Sequence, residues 1–341
     1  MPQGFGCMGL SAFYGSAAST TPEKALAVFK RAVEQGVTLF NTATFYGPLN
    51  SDGFGANLRL LKPCIASVDR SKIQLMVKIG MDTRAPVEKT GQQWIMRGDA
   101  KGLREDVEFA LSELGVEYID IIVLCRVPHD VPIETTVAAM QQLVAEGKAR
   151  HIGLSEAGPA ILRRAAAVAP IFCIEQEWSL QSRDIEASIV PTCRELGIKI
   201  VAYSPLGRGF MTGQLRSRDD PAFGSRDFRL MSPRFAEENL AKNLEPVDAL
   251  AAIAARKGCS AGQLSLAFLH AQGDDVIPIP GTTSVQHLDE NLAARSISLS
   301  TQDLVELDEI FPATGQTVLG DRYAHSHLLW ENADKANPLP Q

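Results

Sequence analysis

Two side chains in the first quarter of the sequence, Tyr46 and Lys78, form a candidate pair for proton transfer. Tyrosine ordinarily loses its proton near pH ~10, and a neighbouring ammonium group favours the phenolate and lowers that pKa. Such a tyrosine can protonate an oxygen that becomes negative when hydride reaches a carbonyl carbon. Taken alone, the two residues also fit a loop tyrosine and a lysine that extends toward solvent from a strand end.

The elements that would position this pair are short apolar strands that alternate with helical patterns. Near-continuous apolar strands are typical of a parallel sheet covered by helices. Thr21 and Asp99 predict helix N-caps, and Gly36, Gly115 and Gly197 predict helix ends before strands. The predicted strands cover residues 4–8, 37–41, 73–79, 118–124, 151–154, 172–175, 198–203 and 276–279.

Eight such units in succession, without a linker, predict a single-domain α/β protein with a (β/α)8 TIM-barrel fold over residues 1–341. We expect a core at about 4–312, a long loop at 207–245 and a C-terminal tail at 313–341. An open, doubly wound sheet with two lobes is the alternative. The tail, with Tyr323 and Trp330, either walls the site or is exposed to solvent.

In a β/α barrel the reactive side chains gather at the carboxyl ends of the strands. The polar or reactive residues at those predicted ends are Asn41, Tyr46, Lys78, Cys125, Ser155, Glu156, Glu175, Tyr203, Ser204, Thr282 and Thr283. The barrel therefore brings the tyrosine and the lysine to one edge of the sheet.

Two motifs match other classes of protein, but the sequence around each motif does not fit that class. Residues 4–9 match G-x-G-x-x-G, but a dinucleotide-binding Rossmann turn needs a strand before it and a helix opening on it. We interpret the glycines as a strand end that lets a ligand approach the backbone. Residues 153–157 nearly match the G-x-S-x-G elbow of serine hydrolases, but lack the last glycine and placed acid and histidine partners.

Composition excludes several classes of protein. A net charge of −7 argues against a nucleic-acid or anionic-membrane surface. The six cysteines form no C-x-x-C pair, so neither a metal site nor a disulfide framework is predicted. No apolar run approaches the ~18 residues needed to span a membrane. We expect a cytoplasmic protein; its oligomeric state stays open.

The residues around Tyr46 resemble a known family. F-N-T-A-x-x-Y-G at residues 40–47 is similar to the F-D-T-A-x-x-Y-G motif of the aldo-keto reductases, with one substitution. The resemblance runs from residue 4 to about 312 and is strongest to the branch that includes perakine reductase and auxin-induced-type proteins. The family's N-terminal hairpin is expected to be absent. The other motifs in family order are GCMGLS (6–11), YID (118–120), RHIGLSE (150–156), YSPLGRG (203–209) and IPGTT (279–283).

The resemblance implies NADPH-dependent reduction of aldehydes and ketones by a catalytic Asp, Tyr, Lys and His. Tyr46 would be the proton donor and Lys78 the partner that lowers its pKa. Asn41 stands at the aspartate position, so Lys78 would lack its counter-ion. Cys125 stands at the histidine position, and a thiol is a weak donor. Losing one positioned donor costs about 10²–10³ in rate at related sites. We therefore expect weakened or altered activity.

The same resemblance implies a cofactor site. Tyr203 would stack on the nicotinamide, and Ser155 would bind its carboxamide together with Glu175, where the family has glutamine. An acceptor-only carboxylate cannot make both amide contacts. NADPH is preferred over NADH by analogy with the family. The remaining implied cofactor residues are Met8, Ser204, Leu206, Arg208, Gly281, Thr282 and Thr283, then His287 near the 2′-phosphate and Glu290 and Asn291 at the adenine.

The altered positions leave two alternatives open. One is a catalytically impaired NADP(H)-binding regulatory or interaction protein of the same fold. The other is a reactive Cys125 whose thiolate is favoured by nearby Lys78, although the sequence places no resolving cysteine or general-base histidine beside it. The identity of the aldehyde or ketone is not encoded in any motif.

Overall fold

All eight predicted strands pair into one parallel sheet that curls into a barrel. The computed structural model describes residues 1–48, 52–84, 94–220, 223–224, 227–314, 318–323 and 329–340. Parts of the predicted long loop and tail lie outside these residues. In chain order the strands are β1 (Phe5–Gly6), β2 (Leu39–Ala43), β3 (Gln74–Ile79), β4 (Met81–Asp82), β5 (Ile95–Met96), β6 (Ile119–Leu124), β7 (Ala149–Ser155), β8 (Ile171–Glu177), β9 (Lys199–Tyr203) and β10 (Val276–Pro278).

The barrel strands follow one another around the sheet in the order β1-β2-β3-β6-β7-β8-β9-β10, while β4 and β5 form a separate antiparallel pair. The first and last strands close the ring through their backbones: Gly4 N donates to Pro278 O (3.0 Å) and Gly6 N to Pro280 O (3.4 Å). A Cβ on Gly6 would lie 2.8 Å from Ile279 O. The closing contact therefore requires glycine.

Helices cover the outside of the barrel. Thr21 and Asp99 cap the helices Pro22–Glu34 and Ala100–Leu114 as predicted, since their side chains accept from Lys24 N and Gly102 N. Gly115 and Gly197 end their helices in the left-handed region. The helices are α1 (Pro22–Glu34), α2 (Ala56–Ala66), α3 (Ala100–Leu114), α4 (Ile133–Ala145), α5 (Pro159–Val168), α6 (Ile189–Leu196), α7 (Glu237–Arg256), α8 (Ala261–His270), α9 (Val285–Ala293), α10 (Thr301–Ile310) and α11 (Trp330–Ala336).

The predicted long loop is shorter than its polar composition suggested. Helix α7 begins at Glu237, so residues 237–245 are helical, and short 3-10 turns occupy 207–212, 228–231 and 233–235. The reason is an apolar stripe, Leu240, Leu244 and Val247, whose spacing places all three side chains on one buried helix face. Three apolar residues at helical spacing decide the structure despite polar neighbours.

The barrel interior is filled by an apolar layer below the carboxyl ends of the strands. Successive side chains of a strand point to opposite faces, so residues two apart share the interior. This layer consists of Leu39, Met76, Ile121, Val123, Cys173, Val201 and Ile279. A larger apolar cluster packs between the strands and the surrounding helices. This layer therefore closes the barrel interior below the carboxyl ends of the strands.

Candidate active site

Five polar or reactive side chains follow the interior layer by two positions in their strands. Leu39 precedes Asn41, Met76 precedes Lys78, Val123 precedes Cys125, Cys173 precedes Glu175 and Val201 precedes Tyr203. Each therefore points into the barrel, one step nearer to its carboxyl end. All five border one cavity of about 940 Å³.

Every site residue predicted from the sequence lines this cavity. The catalytic candidates are Tyr46, Lys78, Asn41 and Cys125, and the cofactor candidates are Met8, Ser155, Glu175, Tyr203, Ser204, Leu206, Arg208, Gly281, Thr282, Thr283, His287, Glu290 and Asn291. The structure brings the whole set together at one end of the barrel. It also adds lining residues that the sequence did not single out: Phe13, Met81, Trp94, Arg126 and Arg322.

Lys78 has a counter-ion, contrary to the expectation from Asn41. Its Nζ donates to Glu175 Oε1 (2.8 Å) and to Asn41 Oδ1 (2.6 Å), and Asn41 Nδ2 donates to Glu175 Oε2 (2.8 Å). The side chains of Lys78 and Glu175 are 4% and 3% exposed. Where the resemblance to the aldo-keto reductases implies aspartate and glutamine, this chain has asparagine and glutamate. The amide and the carboxylate have exchanged positions, and the buried lysine remains paired.

Tyr46 lies beside this ion pair. Lys78 Nζ is 4.8 Å from the centroid of its ring, and Phe13 and Phe45 meet the ring edge-on at 6.1 and 5.1 Å. Burial raises the pKa of Tyr46 well above its ordinary value, and the charge of Glu175 raises it further. The pKa is therefore raised rather than lowered as expected from Lys78, because burial is the largest effect and Glu175 adds to it. The phenol stays protonated and suits a proton donor.

Cys125 is buried at the end of β6, where its backbone N–H donates to Ile79 O (2.9 Å). Burial raises the pKa of its thiol despite opposing effects of Arg126 and Lys78. The neutral thiol is the stable form, which argues against the interpretation of Cys125 as a nucleophile.

Arg126, which the sequence analysis missed, follows Cys125 and turns into the cavity. Its Nη1 donates to Cys125 O (2.7 Å) and lies 3.4 Å from Ser155 Oγ and 3.7 Å from Cys125 Sγ. The only sequence signal was its place immediately after a strand end. A search limited to residues already in the family motif passes over it.

The far end of the cavity is built from backbone and small side chains. A Cβ on Gly281 would lie 2.4 Å from Gly6 O, so the two glycine backbones touch where they border the cavity. Helix α9 begins beside them at its N-cap residue Ser284. The backbone N–H of Ser284 donates to Thr282 Oγ1 (3.1 Å). A helix N-terminus with hydroxyl side chains suits a phosphate. Ser260 donates to Glu290 Oε1 (2.6 Å) and holds that carboxylate in place.

Arg208 is present at the predicted phosphate position but is already paired. Its Nη2 donates to Glu177 Oε2 (3.4 Å), and its Nη1 donates to Arg322 O (2.9 Å) and Ser232 Oγ (3.2 Å). The carboxylate of Glu177 therefore balances the positive charge of this guanidinium. A phosphate at this position would share it with Glu177.

The C-terminal tail forms part of the cavity wall. Glu156 accepts from Tyr203 OH (2.8 Å), from both terminal nitrogens of Arg322 (3.3 and 3.2 Å) and from Trp330 N (3.3 Å). Tyr323 OH lies 3.1 Å from Tyr203 OH. Of the two interpretations of the tail, the structure supports the wall for residues 322 and 323. The hydroxyl of Tyr203 is fixed while its ring remains on the cavity.

The backbone is strained at this edge of the barrel. Glu156, Ser204 and Arg208 have φ values of 50°, 48° and 62°, in the left-handed region that non-glycine residues rarely adopt. Such strain costs of order 1–3 kcal/mol per residue and persists where the surroundings over-determine it. Here the surroundings are the buried ion pairs of Glu156 and Arg208.

Metal ligands and membrane spans were also considered. No group of three or more His, Cys, Asp or Glu among the described residues could hold a metal ion. Within the same part of the chain, no helix is both long and apolar enough to cross a membrane.

Comparison with known proteins decides the family. The sequence model of the Aldo/keto reductase family matches residues 6–311. The chain belongs to the aldo/keto reductase family. It is 40% identical to the probable aldo-keto reductase 1 of Glycine max over 333 residues, which are 97% of this chain and 91% of that protein. The family resemblance drawn from the motifs is thus confirmed.

Solved structures confirm the barrel fold. The glycerol dehydrogenase of Gluconobacter oxydans superposes with a TM-score of 0.78 at 24% identity, covering 92% of each chain. An aldo-keto reductase from Klebsiella pneumoniae, solved in complex with NADPH, gives a TM-score of 0.67 at 22% identity and covers 94% of each chain. The (β/α)8 prediction is confirmed, and the open-sheet alternative is wrong.

Proposed function

We propose that this aldo-keto reductase reduces aldehydes or ketones to alcohols with NADPH and that Tyr46 supplies the proton. The observation that carries the proposal is the buried Tyr46 phenol beside the paired Lys78, in a cavity lined by every residue that the family motifs imply. The arrangement of these side chains and the family of the chain both support carbonyl reduction.

The residues present fit NADPH. Tyr203 offers a ring face with its hydroxyl fixed by Glu156, and Ser155 offers a hydroxyl in the same cavity. The Gly281 backbone and the N-terminus of α9 offer donors for phosphate. The cofactor supplies hydride when bound. The Klebsiella reductase, which was solved with NADPH, shares this fold.

In the proposed reaction, hydride adds to the carbonyl carbon and the C=O electron pair moves to the oxygen. The oxygen takes the proton of the Tyr46 hydroxyl, so the alcohol leaves neutral. The phenolate that remains is stabilised by the Lys78 ammonium 4.8 Å from the ring centroid until it regains a proton from solvent. The apolar side chains of Phe13, Phe45 and Trp94 border the cavity near this point and exclude water from it.

We also propose that Glu175 performs the charge-balancing part of the family's aspartate. The pair with Lys78 is 2.8 Å long and almost fully buried, and Asn41 donates to the second carboxylate oxygen. The buried lysine is thereby held in one orientation. Asn41 on this account does not weaken the site, whereas Cys125 remains a departure from the family.

The test is NADPH oxidation with 4-nitrobenzaldehyde, followed at 340 nm. We expect turnover by the native chain and a loss of at least about 10²-fold in kcat for Tyr46→Phe, which keeps the ring and removes the proton. The alternative is an NADP(H)-binding regulatory protein, which the thiol at the histidine position favours. Tight NADPH binding without turnover, unchanged in Tyr46→Phe, would establish that alternative.

A further inference from the structure

Of Tyr46 and Cys125, the two residues at the family's tyrosine and histidine positions, Tyr46 alone offers a strong donor for a carbonyl oxygen. Tyr46 provides a hydroxyl, but Cys125 provides a thiol, which is a weak donor. Reductions of this kind gain from positioned donors that stabilise the negative charge developing on oxygen. A second donor near Cys125 would supply the hydrogen bond to the carbonyl oxygen that a histidine at this position would donate.

Arg126 places a guanidinium at this point. Its Nη1 lies 3.7 Å from Cys125 Sγ and 3.4 Å from Ser155 Oγ, in the cavity that Tyr46 and Glu175 also line. The short bond from Nη1 to Cys125 O (2.7 Å) fixes the plane of the group. The side chain is thus oriented by its own strand end rather than left free.

The remaining donors of Arg126 point to a ligand. Its Nε is buried without a hydrogen-bond partner among the described residues, and no described acceptor takes a hydrogen bond from Nη2. No carboxylate in the described part of the chain lies within ion-pair distance of this part-buried guanidinium, whereas the buried arginines Arg208, Arg229 and Arg322 each have one. A guanidinium is always charged, and a charge withdrawn in part from water needs an acceptor.

We infer that Arg126 donates an N–H to the carbonyl oxygen of the substrate and takes over the role of the missing histidine. The inference rests on the proposed reductase function. The substrate oxygen would lie between the Tyr46 hydroxyl and the guanidinium. As hydride arrives, Arg126 stabilises the charge on oxygen without forming or breaking a bond, and Tyr46 transfers its proton. The substrate need carry no acidic group.

The first experiment compares Arg126→Met with Arg126→Lys, using NADPH and neutral benzaldehyde. Methionine keeps most of the side-chain bulk and removes all donors. We expect kcat to fall by about 10²–10³ for methionine and less for lysine, which keeps a charge. The dissociation constant for NADPH, measured by protein fluorescence quenching, should change by less than about threefold.

A rescue experiment separates donation from a structural role. If Arg126 replaces the histidine, Cys125→His in the Arg126→Met background should raise kcat at least about tenfold over Arg126→Met alone. A purely structural loss would not respond in this way. Should the methionine variant fail to fold, the same comparison is made in the Arg126→Lys background, where a charged side chain is retained.

A comparison of two substrates distinguishes donation to the carbonyl oxygen from binding of a substrate carboxylate by Arg126. Benzaldehyde and 4-carboxybenzaldehyde are compared in the native chain and in Arg126→Met. A loss confined to the carboxylated aldehyde would mean that Arg126 binds a substrate carboxylate and would overturn the inference, as would an unchanged kcat with benzaldehyde. If the native chain and Tyr46→Phe are equally inactive, the reductase function itself fails. If only Tyr46→Phe loses activity, the function stands and Arg126 is not the donor.

Discussion

At the scale of single residues, the contacts within the candidate site differ from those that its residue types suggest one position at a time. Asn41 and Glu175 are 134 residues apart, and each departs from the family pattern. Considered singly, one loses a counter-ion and the other loses an amide. In the folded chain they bond to each other and to Lys78, and this contact is the basis for the proposal that the two departures compensate. Sequence reasoning found both residues but could not find their contact.

A charge-exchange experiment follows from this contact. Glu175→Gln leaves Lys78 with two neutral amides and should lower kcat by about 10–100-fold, the equivalent of about 1.4–2.8 kcal/mol. Adding Asn41→Asp restores the family's aspartate and glutamine at the same two positions. We expect that double variant to return to within about threefold of the native kcat. Equal activity of the single and the double variants would contradict charge compensation.

The raised pKa of Tyr46 makes a prediction about pH. If Tyr46 is the proton donor, as proposed, the protonated phenol is the active form for reduction, and burial and Glu175 both favour it. The kcat for carbonyl reduction should therefore show no loss from Tyr46 ionisation between pH 6 and about 9. Glu175→Gln removes a negative charge that disfavours the phenolate, so any alkaline limb should move to lower pH in that variant. A limb at pH 8 in the native enzyme would show that the lysine dominates after all.

At the scale of elements, alternation along strands explains why much of the cavity lining could be predicted. The five residues that follow the interior layer by two positions, Asn41, Lys78, Cys125, Glu175 and Tyr203, all line the cavity, because the period of two in a strand fixes which face each residue takes. Arg126 was missed because it lies one residue beyond Cys125, where the strand has ended and alternation no longer applies. The start of α7 was missed because a polar composition concealed three apolar residues at helical spacing.

One helix contact supports the strand that carries Lys78. Asp106 on α3 accepts from Gly80 N (2.9 Å), just beyond the end of β3. Asp106→Ala removes the acceptor of a buried N–H and should lower the free energy of unfolding by about 2 kcal/mol. Asp106→Asn retains an acceptor and is the matched control, with less than half that loss expected in urea denaturation at pH 7.

The pH dependence of this contact has a definite sign. Burial raises the pKa of Asp106 from 3.8 to about 6. The folded state then holds the proton more tightly than the unfolded chain, so this carboxyl lowers stability as pH rises from about 4 to 6. Relative to the native protein, Asp106→Asn should gain stability over that window. A difference between the two that stays constant from pH 4 to 7 would contradict the raised pKa.

At the scale of the whole molecule, the C-terminal tail and the barrel are joined by buried ion pairs. Arg322 is 6% exposed and holds Glu156, which is fully buried, together with Glu177 at 3.7 Å. The partners are 166 positions apart, and no local pattern announces the pairing. The barrel itself was predictable because its eight strands, together with several helix ends, are marked by local signals in the sequence.

Removing Arg322 tests this connection. Arg322→Ala leaves Glu156 as a buried, unpaired carboxylate and should reduce the free energy of unfolding by about 3 kcal/mol. Arg256→Ala is the matched control, because the Arg256–Glu306 pair is exposed and should contribute less than about 1 kcal/mol. Urea denaturation measures both. Equal losses in the two variants would mean that the tail is not stabilised by its buried charge.

The junction of β1 and β10 has a consequence for how the molecule opens. Its two backbone bonds, from Gly4 and Gly6, hold the chain's first strand to its last, and β1 is only two residues long. Local opening in proteins begins where such contacts are fewest. These two amides should exchange with deuterium faster than those of β3 or β6. Gly6 and Gly281 both border the cavity, so a bound dinucleotide would contact both sides of the junction. NADPH should therefore slow amide exchange at the junction more than at the opposite side of the barrel.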